Sequence, residues 1–99
     1  NSPIRVADIR AGSGNSDPSE LTVFNNELYF QATDGINGYE LWRYDGTSAS
    51  MVADIYPGSG DGSPTFLTIL NSELYFNAID GTHGYELWKF SQQTTITYA

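Results

Sequence analysis

The stretch Leu21 to Tyr44, LTVFNNELYFQATDGINGYELWRY, returns at Leu67 to Phe90 as LTILNSELYFNAIDGTHGYELWKF, at a constant offset of 46 residues. Extended outward to Val6–Tyr44 and Val52–Phe90, the copies align without a gap, and 23 of the 39 pairs are identical. A period of this length marks a propeller, solenoid or array, in which one unit cannot bury its faces alone. The chain therefore reads as a single β-repeat domain over residues 1–99, with repeat 1 at about 6–51 and repeat 2 at about 52–99.

Within one period lie the extended runs Leu21–Phe24, Glu27–Ala32, Tyr39–Tyr44 and Met51–Ile55; the second copy repeats three of them at Leu67–Leu70, Glu73–Ala78 and Tyr85–Phe90. Asn25-Asn26 and Asn71-Ser72 fit two-residue hairpin turns, because Asn tolerates the positive φ that such turns demand. Asp34-Gly35, Asp80-Gly81 and Asp45-Gly46 mark the next turns, whereas Tyr56 to Pro64 is a longer link too rich in Gly and Pro to be a strand. One long connection after three short ones returns a chain from the outermost strand of a propeller blade to the innermost strand of the next. Leu21–Phe24 is then innermost and Met51–Ile55 outermost. The middle runs carry apolar residues on both faces, Leu28 and Phe30 against Tyr29 and Leu41 against Trp42, as a blade between two neighbours requires. The expectation is an all-β chain of two four-stranded antiparallel propeller-type blades.

Composition narrows the partners. Four basic residues against twelve acids leave a net charge of -8, which repels phosphate backbones and anionic lipid. Nucleic acid is excluded as a partner, and no apolar run is long enough for membrane insertion as a helix. With no cysteine, thiol catalysis, thiolate metal sites and disulfides are excluded too. The chain starts at Asn1 and not at Met, as expected of a processed protein or a piece of a longer one.

Glu40-Leu41-Trp42 followed by Asp45-Gly46-Thr47, together with Val-x-Asp-Ile, a Pro-Gly loop, Leu-Tyr-Phe and Asp-Gly-x-x-Gly-x-Glu-Leu-Trp, resembles the ELWxxDGT repeat family of bacterial surface and secreted proteins. The resemblance covers nearly the whole chain. It implies a propeller-like fold and an extracellular or cell-surface setting, and it says little about chemistry. Ser91-Gln92-Gln93 replaces the Asp-Gly-Thr turn in the second copy, so the last hairpin departs from the pattern.

A propeller needs at least about four blades and a stacked repeat about three units. Two blades leave an aromatic wall open on each side, which predicts a homo-oligomer. A ring of two-blade chains holds an even number of blades, and three chains making six is the preferred arrangement; in a longer chain the missing blades would come in cis. Ile4–Ile9 and Thr97–Ala99 both align with Met51–Ile55, so one copy of this strand is surplus. Given to a neighbouring subunit, it would seal a ring, or build a filament if the exchange does not close.

Candidate ligand-binding residues are the repeated aromatics Tyr39 and Tyr85, Trp42 and Trp88, with Asn37 and His83 in the adjoining turns. Rings in repeated pockets stack against sugars, and Tyr39 and Tyr85 lie at the rim end of their strand. The opposing reading puts Trp42 and Trp88 in the packing between blades. Eight of the twelve acids fall in matched pairs, Asp8/Asp54, Glu27/Glu73, Asp34/Asp80 and Glu40/Glu86, which points to fixed local roles. For Asp34 and Asp80 that role is accepting backbone hydrogen bonds in a turn. The alternative is a calcium site on Asp34, Glu40, Asp80 and Glu86, against which stand the missing ligand spacing of a calcium loop and His83 in the place of Asn37. The lone histidine, His83, has no nucleophile beside it except Thr82 and Tyr85, so no enzymatic activity is expected and no cofactor is required. The function expected is an extracellular self-assembling binding module for surface glycans, lectin-like; the alternative is the structural subunit of a surface filament or sheath assembled by strand exchange.

Overall fold

A computed structural model describes residues 3–91. Every regular element among the described residues is a strand: β1 (Ser19–Phe24), β2 (Glu27–Thr33), β3 (Tyr39–Tyr44), β4 (Ala49–Ala53), β5 (Thr65–Leu70), β6 (Glu73–Ile79) and β7 (Tyr85–Phe90). They form two antiparallel meanders, a four-stranded sheet ordered β1-β2-β3-β4 and a three-stranded sheet ordered β5-β6-β7. The all-β expectation holds. Of the two four-stranded sheets expected, the first has its four strands and the second has three among the described residues; Thr97–Ala99, which aligns with the outermost strand, lies outside them. Ile4–Ile9, one of the two segments that align with the outermost strand, pairs with no strand among the described residues. The outermost strand of the first sheet runs Ala49–Ala53, not Met51–Ile55, because Asp54 and Ile55 already turn away to begin the long link.

Local chemistry sets these boundaries. Asn25 and Asn26 have φ of 52° and 62°, and Asn71 and Ser72 have 51° and 63°, the paired left-handed geometry whose twist matches a tight hairpin. Asp45 Oδ1 accepts from the backbone N–H of Thr47 and Ser48, both at 2.9 Å, and turns β3 into β4. Register slips between Ser19 and Thr22 and again between Thr65 and Thr68. At the same points Glu20 and Phe66 take φ of 60° and 55°, so the two copies share even their bulges.

The sheets meet face to face. Phe24, Tyr29 and Leu41 on one side of the first sheet pack with Leu74, Phe76 and Ala78 of the second, and Ile55 of the link closes the cluster. Tyr29 crosses the joint to Phe90, ring centroids 5.7 Å apart, and meets Phe24 edge-on at 5.5 Å. The opposite side of the first sheet holds a smaller cluster, Phe30, Ala32 and Trp42, against which Ile9 of the N-terminal segment packs. The first strands β1 and β5 also adjoin across the joint.

Candidate functional site

Near-identical strands have unlike surroundings. β2 (ELYFQAT) is buried on both sides, whereas β6 (ELYFNAI) is buried only at alternate residues. β3 (YELWRY) has Glu40, Leu41 and Trp42 buried, and β7 (YELWKF) is open along most of its length. Leu41 is 0% exposed and its counterpart Leu87 is 76% exposed; Phe24 is 3% exposed and its counterpart Leu70 is 57%. The second sheet therefore lacks on its outer side the neighbour that it provides to the first.

Glu40 shows what such a neighbour does. It is completely buried, and its carboxylate faces the long link: Oε1 accepts from the backbone N–H of Ile55 at 2.6 Å, and Oε2 from that of Gly62 at 3.2 Å and of Tyr56 at 3.4 Å. The Tyr39 carbonyl accepts from the N–H of Gly62 at 2.7 Å and of Ser63 at 3.1 Å, and Asp61 Oδ1 accepts from the Tyr39 N–H at 3.0 Å. Gly62 in turn accepts through its carbonyl from the Ile79 N–H at 3.0 Å, so one loop is tied to both sheets. Burial pushes the Glu40 carboxyl up to about 7, although the N–H donors of Ile55, Tyr56 and Gly62 pull it down. Its counterpart Glu86 is exposed and accepts no hydrogen bond among the described residues. The Glu40/Glu86 pair was legible in the sequence and this role was not; the available signal was a carboxylate two residues from Trp42, on the same side of a strand in which Trp42 is core.

The other expected site residues are placed as follows. Trp42 is buried against Phe30 and Ala32, and Trp88 is half-buried at the joint between the sheets. Trp88 thus lies in the packing between the sheets, whereas Trp42 is core on the opposite side of the first sheet, in the cluster that Ile9 packs against. Their Nε1 atoms are buried and have no hydrogen-bond partner among the described residues. Beside Trp42 lies a groove of about 420 Å³ whose rim includes Asp8, Thr47 and Ser48. Tyr39 is half-exposed and donates its hydroxyl to Asp17 Oδ2 at 2.7 Å, which holds its phenol above the usual tyrosine range; Tyr85 is exposed.

The turn residues Asn37 and His83 fill one role with two chemistries. Asp34 Oδ1 accepts from the N–H of Ile36 and Asn37, both at 2.9 Å, while Asn37 Nδ2 donates to Asp34 Oδ2 at 2.8 Å. Asp80 Oδ1 accepts from the N–H of Thr82 and His83 at 2.8 and 2.9 Å, and His83 Nδ1 sits 2.9 Å from Asp80 Oδ2. The expected turn role of both aspartates is borne out. The Asn37 N–H lowers the Asp34 carboxyl, the His83 side chain lowers Asp80 to about 2, and Asp80 raises His83. The carboxylates of Asp34 and Glu40 thus face separate sets of donors, and no group of three metal-ligating side chains occurs among the described residues. Glu27 and Glu73 also act alike, since each accepts the hydroxyl of the tyrosine two residues on at 3.3 Å, and each faces a base, Arg43 at 3.6 Å or Lys89 at 3.3 Å.

No family model matches this chain, and no curated protein and no solved structure matches it.

Proposed function

We infer that this chain is a non-enzymatic, self-assembling β-blade module of the extracellular kind its repeat motif resembles, in which each copy completes the sheet pair of the next. The observation that carries this reading is the unequal burial of equal sequences, Leu41 at 0% against Leu87 at 76%. The outer side of the second sheet (Leu70, Tyr75, Leu87) repeats the side of the first sheet that is covered, and the outer side of the first (Leu28, Phe30, Trp42) repeats the side of the second that covers it. Each copy thus carries both halves of a joint it already makes internally, and joining unlike halves gives a ring if the rotation closes and a fibre if it does not. Burying side chains such as Leu70 and Leu87 contributes about 1.5–3 kcal/mol each. Sedimentation and native mass spectrometry test the reading: assemblies of even blade number, three chains foremost, or an open ladder are expected, and a monomer at micromolar concentration sinks it.

A second reading adds a carbohydrate ligand. It is favoured by the groove beside Trp42, where a carboxylate and two hydroxyls line a space of about 420 Å³. Such a rim suits the hydroxyl groups of one sugar ring. A glycan array tests it, and silence across the array together with intact assembly leaves the scaffold role alone.

A further inference from the structure

The Val-Ala-Asp-Ile sequence occurs twice, at Val6–Ile9 and Val52–Ile55. The second occurrence has two engagements. Ala53 is the register partner of Leu41 on the edge of β3, and Val52, Ala53 and Ile55 also pack into the cluster that holds Leu74, Phe76 and Ala78 of the following sheet. The first occurrence has only the latter: Ile9 packs on Phe30, Ala32 and Trp42 of its own sheet, while the preceding residues run without a strand partner and leave Ile4 84% and Val6 63% exposed. At the far end of the molecule β7 has one edge unpaired among the described residues, with Glu86 exposed beside it.

We propose that Pro3–Ala7 of a second copy adds to the free edge of β7 as the fourth strand of that sheet, and that Glu86 then grips the backbone N–H groups of Ile9, Arg10 and Ser16 of the same second copy. The proposal rests on the self-assembly reading and assigns its joint. Its register follows from the internal one: Leu41 opposite Ala53 and Trp42 opposite Met51 become Leu87 opposite Ala7 and Trp88 opposite Arg5. Pro3 falls at the position of Ala49, the first residue of the strand, where a missing N–H is tolerated. Ile9, Arg10 and Ser16 stand where Ile55, Tyr56 and Gly62 donate to Glu40.

The loop that would be gripped is already shaped for it. Ser16 accepts through its carbonyl from the Thr33 N–H at 3.0 Å, as Gly62 does from Ile79. Arg10 lies over Gly14 and Gly35 as Tyr56 lies over Gly60 and Gly81. Two departures loosen the joint between copies relative to the internal one. A Cβ on Gly62 would come within 2.6 Å of Glu40 Oε1, so Ser16 displaces the end of the Glu86 side chain, and its hydroxyl supplies a donor in exchange. The bond from the Phe66 N–H to Glu20 Oε1 at 2.7 Å has no counterpart, because Phe66 stands where the acceptor would be.

The chain has no cysteine, so disulfide trapping reads the joint directly. Isotope-labelled Ala7→Cys is mixed with unlabelled Leu87→Cys under mild oxidation, with the unsubstituted chain sedimented in parallel. The expected product is a mixed-label disulfide dimer in excess of either like-label dimer. In uncrosslinked protein, Glu86→Gln should weaken assembly about tenfold or more, with the monomer as stable as before. If the unsubstituted chain assembles but no mixed disulfide forms, the joint lies elsewhere and this proposal fails while the self-assembly reading stands. If Leu87→Cys closes instead onto Ala99→Cys in the same chain, the chain's own C-terminal residues fill the edge and the proposal is overturned. An unsubstituted chain that stays monomeric overturns both, and an unchanged dissociation constant for Glu86→Gln removes the grip.

Discussion

Glu40 is the residue on which the joint between the sheets turns. Three backbone N–H groups converge on one buried carboxylate, and truncation leaves them without acceptors in a site closed to water. Glu40→Ala should cost about 3 kcal/mol or more, whereas Glu86→Ala in the monomer should fall within about 0.5 kcal/mol, the range of a surface change. Urea unfolding of the two variants checks the contrast, and equal losses would mean that the repeat, not the burial, sets the cost. The same group predicts a pH dependence. Its carboxyl is raised from 4.5 to about 7, so the stability it contributes is complete below pH 4.5 and is lost as pH rises through about 7. The unsubstituted chain should therefore lose stability relative to Glu40→Gln across that window; a flat difference would show that the three donors hold the carboxylate ionised despite its burial. Asp80, lowered to about 2 by His83, works in the opposite sense, its contribution present above pH 3.8 and lost as pH falls through about 2.

At the scale of the element, the turn after β2 carries the clearest comparison between copies. Gly38 and Gly84 share a φ of +74°, so an added side chain strains both alike, but a Cβ on Gly38 would meet the Gly60 carbonyl oxygen at 2.1 Å while one on Gly84 meets nothing within 4 Å. Gly84→Ala should cost about 1–2 kcal/mol from left-handed strain alone. Gly38→Ala adds a clash with backbone that is held on both sides, and should lower the thermal midpoint far more. Calorimetry of the pair checks this. Similar midpoints would show that the long link can lift away from β3. The turn was legible in the sequence as Asp-Gly-x-x-Gly; the loop arching over it was not, since Gly60 reaches Gly38 only through the bonds that Asp61 and Gly62 make to Tyr39, which lies far from them in sequence.

For the whole molecule, the open flank of the second sheet should behave as surface in the monomer and as core in the assembly. Leu41→Asp places an unpaired charge in the buried cluster and should prevent folding. Leu87→Asp should leave the unfolding midpoint nearly unchanged and abolish association, as seen by sedimentation. A Leu87→Asp chain that still assembles would move the joint to another face.

Repetition and period-two patterning determined, without any coordinates, the strands, the hairpin turns, the two-unit plan and the aspartate-closed turns, because each depends on residues within a few positions of one another. The tertiary structure alone decided which of two near-identical copies is covered, that Ile4–Ile9 runs unpaired among the described residues, and that Glu40 is core while Glu86 is surface. Burial depends on what stands beside a strand in space, and two copies with the same side chains cannot differ in it until one has a neighbour that the other lacks.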